Sequence, residues 1–303
     1  MAGNRIMTEI AAQPECWRRA AGLAGGLRDA LPARGERVAV VGCGTSLYMA
    51  QAYAALREGA GHGETDAFAA SEMPPGRRYD RVLALTRSGT TTEVLAVLDR
   101  LAGSVPTTAI TADPDTPVSG KADRLIVLDF ADEESVVQTR FATTQLALLR
   151  AHLGEDLTAA IAAAEAAVAD PVPPWLLDVE QITFLGRGWT VGLAQEAALK
   201  MREAACFWTE AYPAMEYRHG PISITGPRRA VWMFGGLPDG LGEEVAATGG
   251  LLRAADADPL AELVRVQRLA VARASAAGLD PERPRHLTRS VILDDAAPGG
   301  PAA

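Results

Sequence analysis

Two stretches of this chain carry side chains that can do chemistry. The first is Leu83-Ala84-Leu85-Thr86-Arg87-Ser88-Gly89-Thr90-Thr91-Thr92-Glu93, where an apolar run breaks into a hydroxyl-rich turn. A helical pattern then begins with Glu93, Val94, Leu95, Val97 and Leu98. Hydroxyls of Thr86, Ser88, Thr90 and Thr91, together with the unpaired N–H groups and positive dipole of a helix start, can surround a phosphate. Arg87 adds a cation. An ordinary helix cap needs one hydroxyl, so four of them beside an arginine point to an anion cradle. The second stretch runs from Glu196 to Pro221. Glu196, Lys200 and Glu203 stand at i, i+4 and i+7 and share one helix face, which alone would describe a solvated charge stripe. Downstream of that face come Glu210-Ala211-Tyr212 and then Glu216-Tyr217-Arg218-His219-Gly220-Pro221, with one of only 4 histidines beside a Gly-Pro turn. A loop imidazole near a helix-borne carboxylate can serve as an acid/base pair.

Hydrophobic periodicity names the elements that must hold these residues. Met7 to Leu31 reads as helix broken at Pro14, with Ile10, Trp17, Leu23, Leu27 and Leu31 on its apolar stripe. Arg37–Val41 is a near-continuous apolar strand of the kind buried on both faces of a parallel sheet, and it runs through Gly42-Cys43-Gly44-Thr45-Ser46 into a helix reaching about Arg57. Strands are expected at Asp66–Ala69, Val82–Thr86, Thr107–Thr111 and Leu125–Leu128, giving a doubly wound α/β unit that ends near His152. An alanine-rich helix over Asp156–Ala169 stops at Pro171-Val172-Pro173-Pro174. Ile182 to Gly188 then repeats the opening theme: Gly42-x-Gly44-x-Ser46-x-x-x-Ala50-Gln51 matches Gly186-x-Gly188-x-Thr190-x-x-x-Ala194-Gln195. Duplication of one strand–turn–helix unit is the reading.

The second copy has a strand at Ala230–Phe234 followed by Gly235-Gly236-Leu237-Pro238-Asp239, without the hydroxyl-rich loop. One anion site per chain is therefore expected, on the first unit, with reactive side chains from the second. Helices are predicted at Gly242–Arg253 and Pro259–Ala277, with few strand-like segments after Phe234. The organisation is residues 1–155 as arm and first unit, 156–176 as connecting helix and linker, 177–293 as second unit and 294–303 as a disordered Ala/Gly/Pro-rich tail.

Composition excludes several partners. At 303 residues with a formal charge of −9 the chain lacks the clustered cations of a nucleic-acid binder. No apolar run is long enough for a membrane span and no signal peptide is read at the N-terminus. Cys16, Cys43 and Cys206 are odd in number, far apart and without metal-type spacing, which fits a reducing compartment and a cytoplasmic protein. Cys43 reads as a small packed residue, and His62 and His152 lack metal-like companions, whereas His286 lies close enough to Arg289 to line a pocket. A dinucleotide site built on Gly42-x-Gly44 with Glu64 downstream is disfavoured, because Leu47 stands where the third glycine belongs.

These motifs resemble the double sugar isomerase (SIS) domain family. Cys-Gly-Thr-Ser at 43–46, Ser-Gly-x-Thr at 88–91, Glu-x-x-Leu-Lys-x-x-Glu at 196–203, Glu-Ala-Tyr at 210–212 and His-Gly-Pro at 219–221 are the residues concerned. The pattern is most similar to the isomerase half of glutamine:fructose-6-phosphate aminotransferase. It also takes in residues 7–14, 136–145 and Pro284-Arg285-His286-Leu287-Thr288-Arg289-Ser290. The resemblance implies two flavodoxin-like parallel-sheet domains in tandem, the second shortened. It also implies that Thr45, Ser46, Thr86, Arg87, Ser88 and Thr91 hold a sugar phosphate, with Val136, Lys200, Thr288 and Arg289 near the sugar. Glu203 would move the proton between C1 and C2 through an enediol or enediolamine, and His219 would open the ring in the neighbouring subunit of a homodimer. No metal or organic cofactor is called for.

Departures shape the expectation further. No glutaminase unit is read in the chain, so glutamine-dependent synthesis is not expected. Arg289 takes the place of an imine-forming lysine, and a guanidinium that stays protonated can only orient the sugar or balance charge. The expected activity is a phosphosugar isomerase or aminosugar-phosphate isomerase/deaminase. The alternative is a catalytically silent phosphosugar-binding or regulatory protein.

Overall fold

The computed structural model describes residues 4–293 of the chain; the tail expected over 294–303 lies outside them. Two short helices, α1 (Asn4–Ala11) and α2 (Gln13–Leu23), meet where the proline predicts a break, because Pro14 lacks an N–H and is tolerated only in the first turn of the second helix. Ile10, Trp17 and Leu31 are buried, whereas Leu23, placed on the same stripe by periodicity, lies exposed at the helix end.

The first sheet is built from β1 (Val38–Gly42), β2 (Thr65–Ala69), β3 (Arg81–Leu85), β4 (Thr107–Thr111) and β5 (Arg124–Val127), all parallel, in the order β2-β1-β3-β4-β5. Helix α3 (Thr45–Gly59) links β1 to β2, α4 (Thr92–Leu101) links β3 to β4, and α5 (Arg140–His152) follows β5. The strand order reverses between β1 and β3, and in open parallel sheets a crevice opens there, outside the carboxyl ends of the strands. Both glycine- and hydroxyl-bearing turns leave the sheet at that point.

After α6 (Thr158–Ala169) and the short α7 (Trp175–Asp178) the second sheet is assembled from β6 (Gln181–Gly186), β7 (Thr209–Pro213), β8 (Arg229–Phe234) and β9 (Leu251–Ala254) in the parallel order β7-β6-β8-β9. Its helices are α8 (Thr190–Ala205), α9 (Leu241–Ala247) and α10 (Pro259–Ala276). The sheet has one strand fewer than the first, in line with the shortened second half. The helix expected over Gly242–Arg253 is corrected: α9 stops at Ala247, Gly249 turns the chain at φ +77°, and the remainder pairs as β9.

Alternation along the strands divides the core. Val38, Val40, Leu83 and Leu85 of the first sheet and Ile182, Phe184, Trp232 and Phe234 of the second face one shared apolar layer with α2, α3, α5, α8 and α10. Val41, Val82 and Ala84 turn to the other side under α4, as Leu185, Val231 and Met233 do under α9. Within the shared layer α3 and α8 cross closely. A Cβ at Gly192 would lie 2.5 Å from the Tyr48 carbonyl oxygen and 2.9 Å from the Ala52 nitrogen, so no larger residue fits that crossing without displacing backbone.

Candidate active site

The repeat visible in the sequence is a repeat of backbone. Gly44 and Gly188 both hold φ +54°, a region glycine enters freely. A Cβ on Gly42 would sit 2.7 Å from Ser46, and one on Gly186 would sit 2.3 Å from Thr190, the same offset in each half. These tight turns start α3 and α8. The two halves then use the turn differently.

In the first half, Thr45 and Ser46 open α3 and lie beside the turn that follows β3. Gly89 is required there, because it holds φ +63° and a Cβ would fall 2.0 Å from Thr116 Oγ1. Thr91 occupies the N-cap of α4, yet its hydroxyl makes no cap hydrogen bond and faces Ser290 Oγ at 3.3 Å. Ser88 Oγ accepts from the Thr90 N–H at 3.3 Å and from the Thr90 hydroxyl at 3.1 Å. The Thr86 hydroxyl is buried and bonded to no described protein atom. The turn therefore keeps donors that simple capping would have consumed.

Arg87 is placed otherwise than as a free cation. Its buried guanidinium donates to the carbonyls of Ser135 at 3.0 Å and of Val136 and Arg289 at 3.2 Å each, and stands 3.9 Å from Glu133. Burial pulls the Arg87 guanidinium below and pushes the Glu133 carboxyl above its ordinary value, each opposed by the other's charge. Glu133 also accepts from the N–H groups of Thr139 at 2.6 Å and Arg140 at 2.9 Å at the start of α5. Glu9 on α1 accepts from the Glu134 N–H at 2.7 Å and the Ser135 N–H at 3.2 Å, so the N-terminal arm helps fix the segment bearing Val136.

The charge stripe on α8 is not solvated. Glu196 and Lys200 are 0% and 1% exposed, because α8 packs on α3. Lys200 Nζ donates to Thr45 Oγ1 at 2.9 Å, bonds a Glu203 carboxylate oxygen, and stands 3.4 Å from Glu196 Oε1. Burial pushes Glu196 up to about 8; Lys200 opposes that rise and Glu203 adds to it. Burial also works against the Lys200 ammonium, but the flanking carboxylates outweigh it and hold its pKa above the ordinary lysine value. One helix thus carries a carboxylate, Glu203, to the edge of the hydroxyl cradle and ties it there through Lys200 to Thr45.

A cleft of about 170 Å³ opens between the halves. Of the residues singled out in the sequence, Thr45, Arg87, Thr91, Val136, Lys200, Glu203, Thr288 and Arg289 line it. Ser46, Thr86 and Ser88 lie on the flanking turns rather than in the lining. Arg289 pairs with Asp132 at 2.5 Å and donates to the Glu133 carbonyl. His219 does not line the cleft of its own chain: it is exposed at the end of the turn after β7, near the exposed Met215. His286, with φ +61°, is also exposed and outside the lining.

No family model matches the chain. Curated relatives include the isomerizing glutamine–fructose-6-phosphate aminotransferases of Gluconobacter oxydans, 27% identical over 87% of this chain and 53% of the relative, and of Sulfurisphaera tokodaii, 27% identical over 86% and 50%. The chain spans about half the length of these relatives. Among solved structures it superposes on glucosamine-6-phosphate deaminase from Thermotoga maritima with a TM-score of 0.79 and 24% identity, covering 96% of this chain and 100% of that one. Tagatose-6-phosphate ketose/aldose isomerase from Escherichia coli gives 0.76 and 17%, covering 97% and 98%. The fold is the double SIS fold.

Within that fold the second turn lacks a cradle. Thr190 Oγ1 accepts from the Arg187 N–H at 2.8 Å and donates to the Phe234 carbonyl at 2.9 Å. The adjoining hollow, bounded by Gly235, Leu237, Ala254 and Asp256, has neither hydroxyl nor cation in its lining. Sequence reasoning missed Gln138, Leu287, Ser290 and Val291 as lining residues and gave Cys43 a purely packing role, although it borders the cleft. Gln138 stood inside a stretch already singled out. Leu287 and Ser290 likewise stood inside the 284–290 stretch without being given a role, and nothing local marked Val291, whose place depends on the chain returning to the turn after β3.

Proposed function

We propose that the protein is an SIS-type phosphosugar isomerase or aminosugar-phosphate deaminase acting on a ketose or aldose 6-phosphate. The observation that carries this reading is the shared cleft: Thr91 of the hydroxyl turn, Thr45 at the start of α3 and the helix-borne Glu203 face the same small space, and Lys200 joins Glu203 to Thr45. In this mechanism the sugar phosphate docks against the hydroxyls of residues 45–46 and 86–91 and the N-terminus of α4. Glu203 removes the proton on C1 or C2 and returns it to the other carbon through an enediol, or an enediolamine for an amino sugar. The Lys200 ammonium balances the negative charge that develops on the substrate oxygen. Arg289, held by Asp132, orients the sugar without forming an imine.

Ring opening falls to His219 of a second subunit in a homodimer. Support comes from its exposed position outside the cleft of its own chain and from the exposed apolar Met215 four residues before it, at 47%, which a partner would cover. The names of the similar proteins, isomerizing aminotransferases, a deaminase and a ketose/aldose isomerase, support the substrate class. Three free cysteines and the lack, among the described residues, of any helix able to cross a membrane support a cytoplasmic site of action.

The second reading is a binding-only regulatory protein, favoured by Arg289 where an imine would need a lysine. A panel of hexose and hexosamine 6-phosphates separates the readings, with C2–H exchange into deuterated water and ammonia release as readouts. Exchange alone marks an isomerase, and ammonia marks a deaminase. Binding with neither sinks the catalytic reading.

A further inference from the structure

Residues 289–293 return across the hydroxyl turn and occupy groups an anion would use. Ser88 donates to Ser290 Oγ at 3.1 Å, and Thr91 Oγ1 lies 3.3 Å from the same atom. The Val291 carbonyl takes the N–H of Thr92, the first helical residue of α4, at 3.2 Å. The Leu293 N–H donates to Thr92 Oγ1 at 2.9 Å, and the Arg289 carbonyl accepts from Arg87 at 3.2 Å. Little apolar burial backs these contacts, since Val291, Ile292 and Leu293 are 53%, 67% and 56% exposed. Charged groups fix Arg289 at the base of the strap, through Arg87 and Asp132, but the contacts of residues 290–293 with the turn are neutral hydrogen bonds, and a charged oxygen in the same seat would make bonds roughly twice as strong.

We propose that Ser290 is a built-in competitor for the phosphate seat. The strap that carries it fills the cradle when no anion is bound, and a phosphate displaces it. This inference rests on the phosphosugar reading above. The apparent affinity of any ligand that needs the seat is lowered by the fraction of molecules in which the strap is closed. A sugar with no phosphate has nothing to place there and is unaffected.

The test is calorimetric titration of the full chain, parent and Ser290→Ala, with inorganic phosphate, a hexose 6-phosphate and the unphosphorylated hexose. Both phosphates should bind the variant about three- to tenfold more tightly, the effect of removing one neutral contact network from the closed state, while the free hexose is unchanged. In the parent, adding the hexose 6-phosphate should speed hydrogen exchange in the 289–293 segment as the Leu293 N–H leaves Thr92. Weaker or equal phosphate binding by the variant, or slower exchange in the segment on adding ligand, overturns the proposal. Weaker binding or slower exchange means that the strap closes over the ligand, equal binding means that Ser290 does not compete for the seat, and in each case the phosphosugar reading survives. If neither phosphate binds parent or variant, the phosphosugar reading and the proposal fall together.

Discussion

Lys200 sets the character of the cleft at the scale of single residues. A lysine buried with two carboxylates and a threonine hydroxyl keeps its charge because the carboxylates outweigh the loss of water, while Glu196 bears the cost of its own burial. Glu196 is pushed up to about 8 from 4.5, so the folded chain holds that proton more tightly than the unfolded chain does. The stability this contributes is fully present below the unfolded value of 4.5 and is lost as the pH rises through about 8. Comparing the parent with Glu196→Gln cancels the other titrating groups. The thermal midpoint of the parent relative to the variant should fall by about 5 °C between pH 5 and pH 8. A difference that stays flat over that range would place the proton elsewhere in the trio.

Crossing helices do the positioning at the scale of elements. Lys200 reaches Thr45 because α8 lies against α3 where Gly192 leaves room for the Tyr48 carbonyl. Gly192→Ala gains about 1 kcal/mol of helix propensity but forces the two backbones apart. A net destabilisation of about 1–3 kcal/mol in urea unfolding is expected, together with a loss of turnover exceeding any loss of phosphate binding, since the displaced groups are Lys200 and Glu203. Elements buried on both faces were the legible ones. β1, β3 and β4 are near-continuous apolar or threonine-rich runs, and each was placed within a residue or two. The strands at the borders of the second sheet were not. β7 contains Glu210 and Pro213, β9 contains Arg253, and half-exposed four- or five-residue segments carry no periodic signal strong enough to separate strand from helix or loop. The same physics divides the site. Ser88 was legible in the local run of hydroxyls; Lys200 and Glu203, whose spacing alone reads as a solvated charge stripe, and Thr45 took their roles from the family resemblance, and the anchoring of Arg87 by Ser135, Val136 and Arg289 is tertiary and has no local trace.

At the scale of the whole molecule, a cleft without an imidazole from its own chain predicts complementation. Glu203→Gln and His219→Asn should each lower turnover by at least about a hundredfold. If His219 acts across a homodimer, as proposed above, chains of the two variants, co-expressed or unfolded and refolded together, should recover up to about a quarter of parental activity, because half of the dimers would be mixed and each mixed dimer would rebuild one of its two sites. Failure to recover activity from demonstrably mixed dimers would show that His219 serves its own chain or none. The paired glycine turns have a separate consequence for protein engineering. The hollow beside Gly235 has a glycine bend at φ +79° and borders the start of α10 at Pro259, but its lining carries the Asp256 carboxylate and no hydroxyl. Grafting a serine- and threonine-bearing loop between β8 and α9, with Asp256 neutralised, is therefore a way to ask whether the second half can be made to take up an anion of its own.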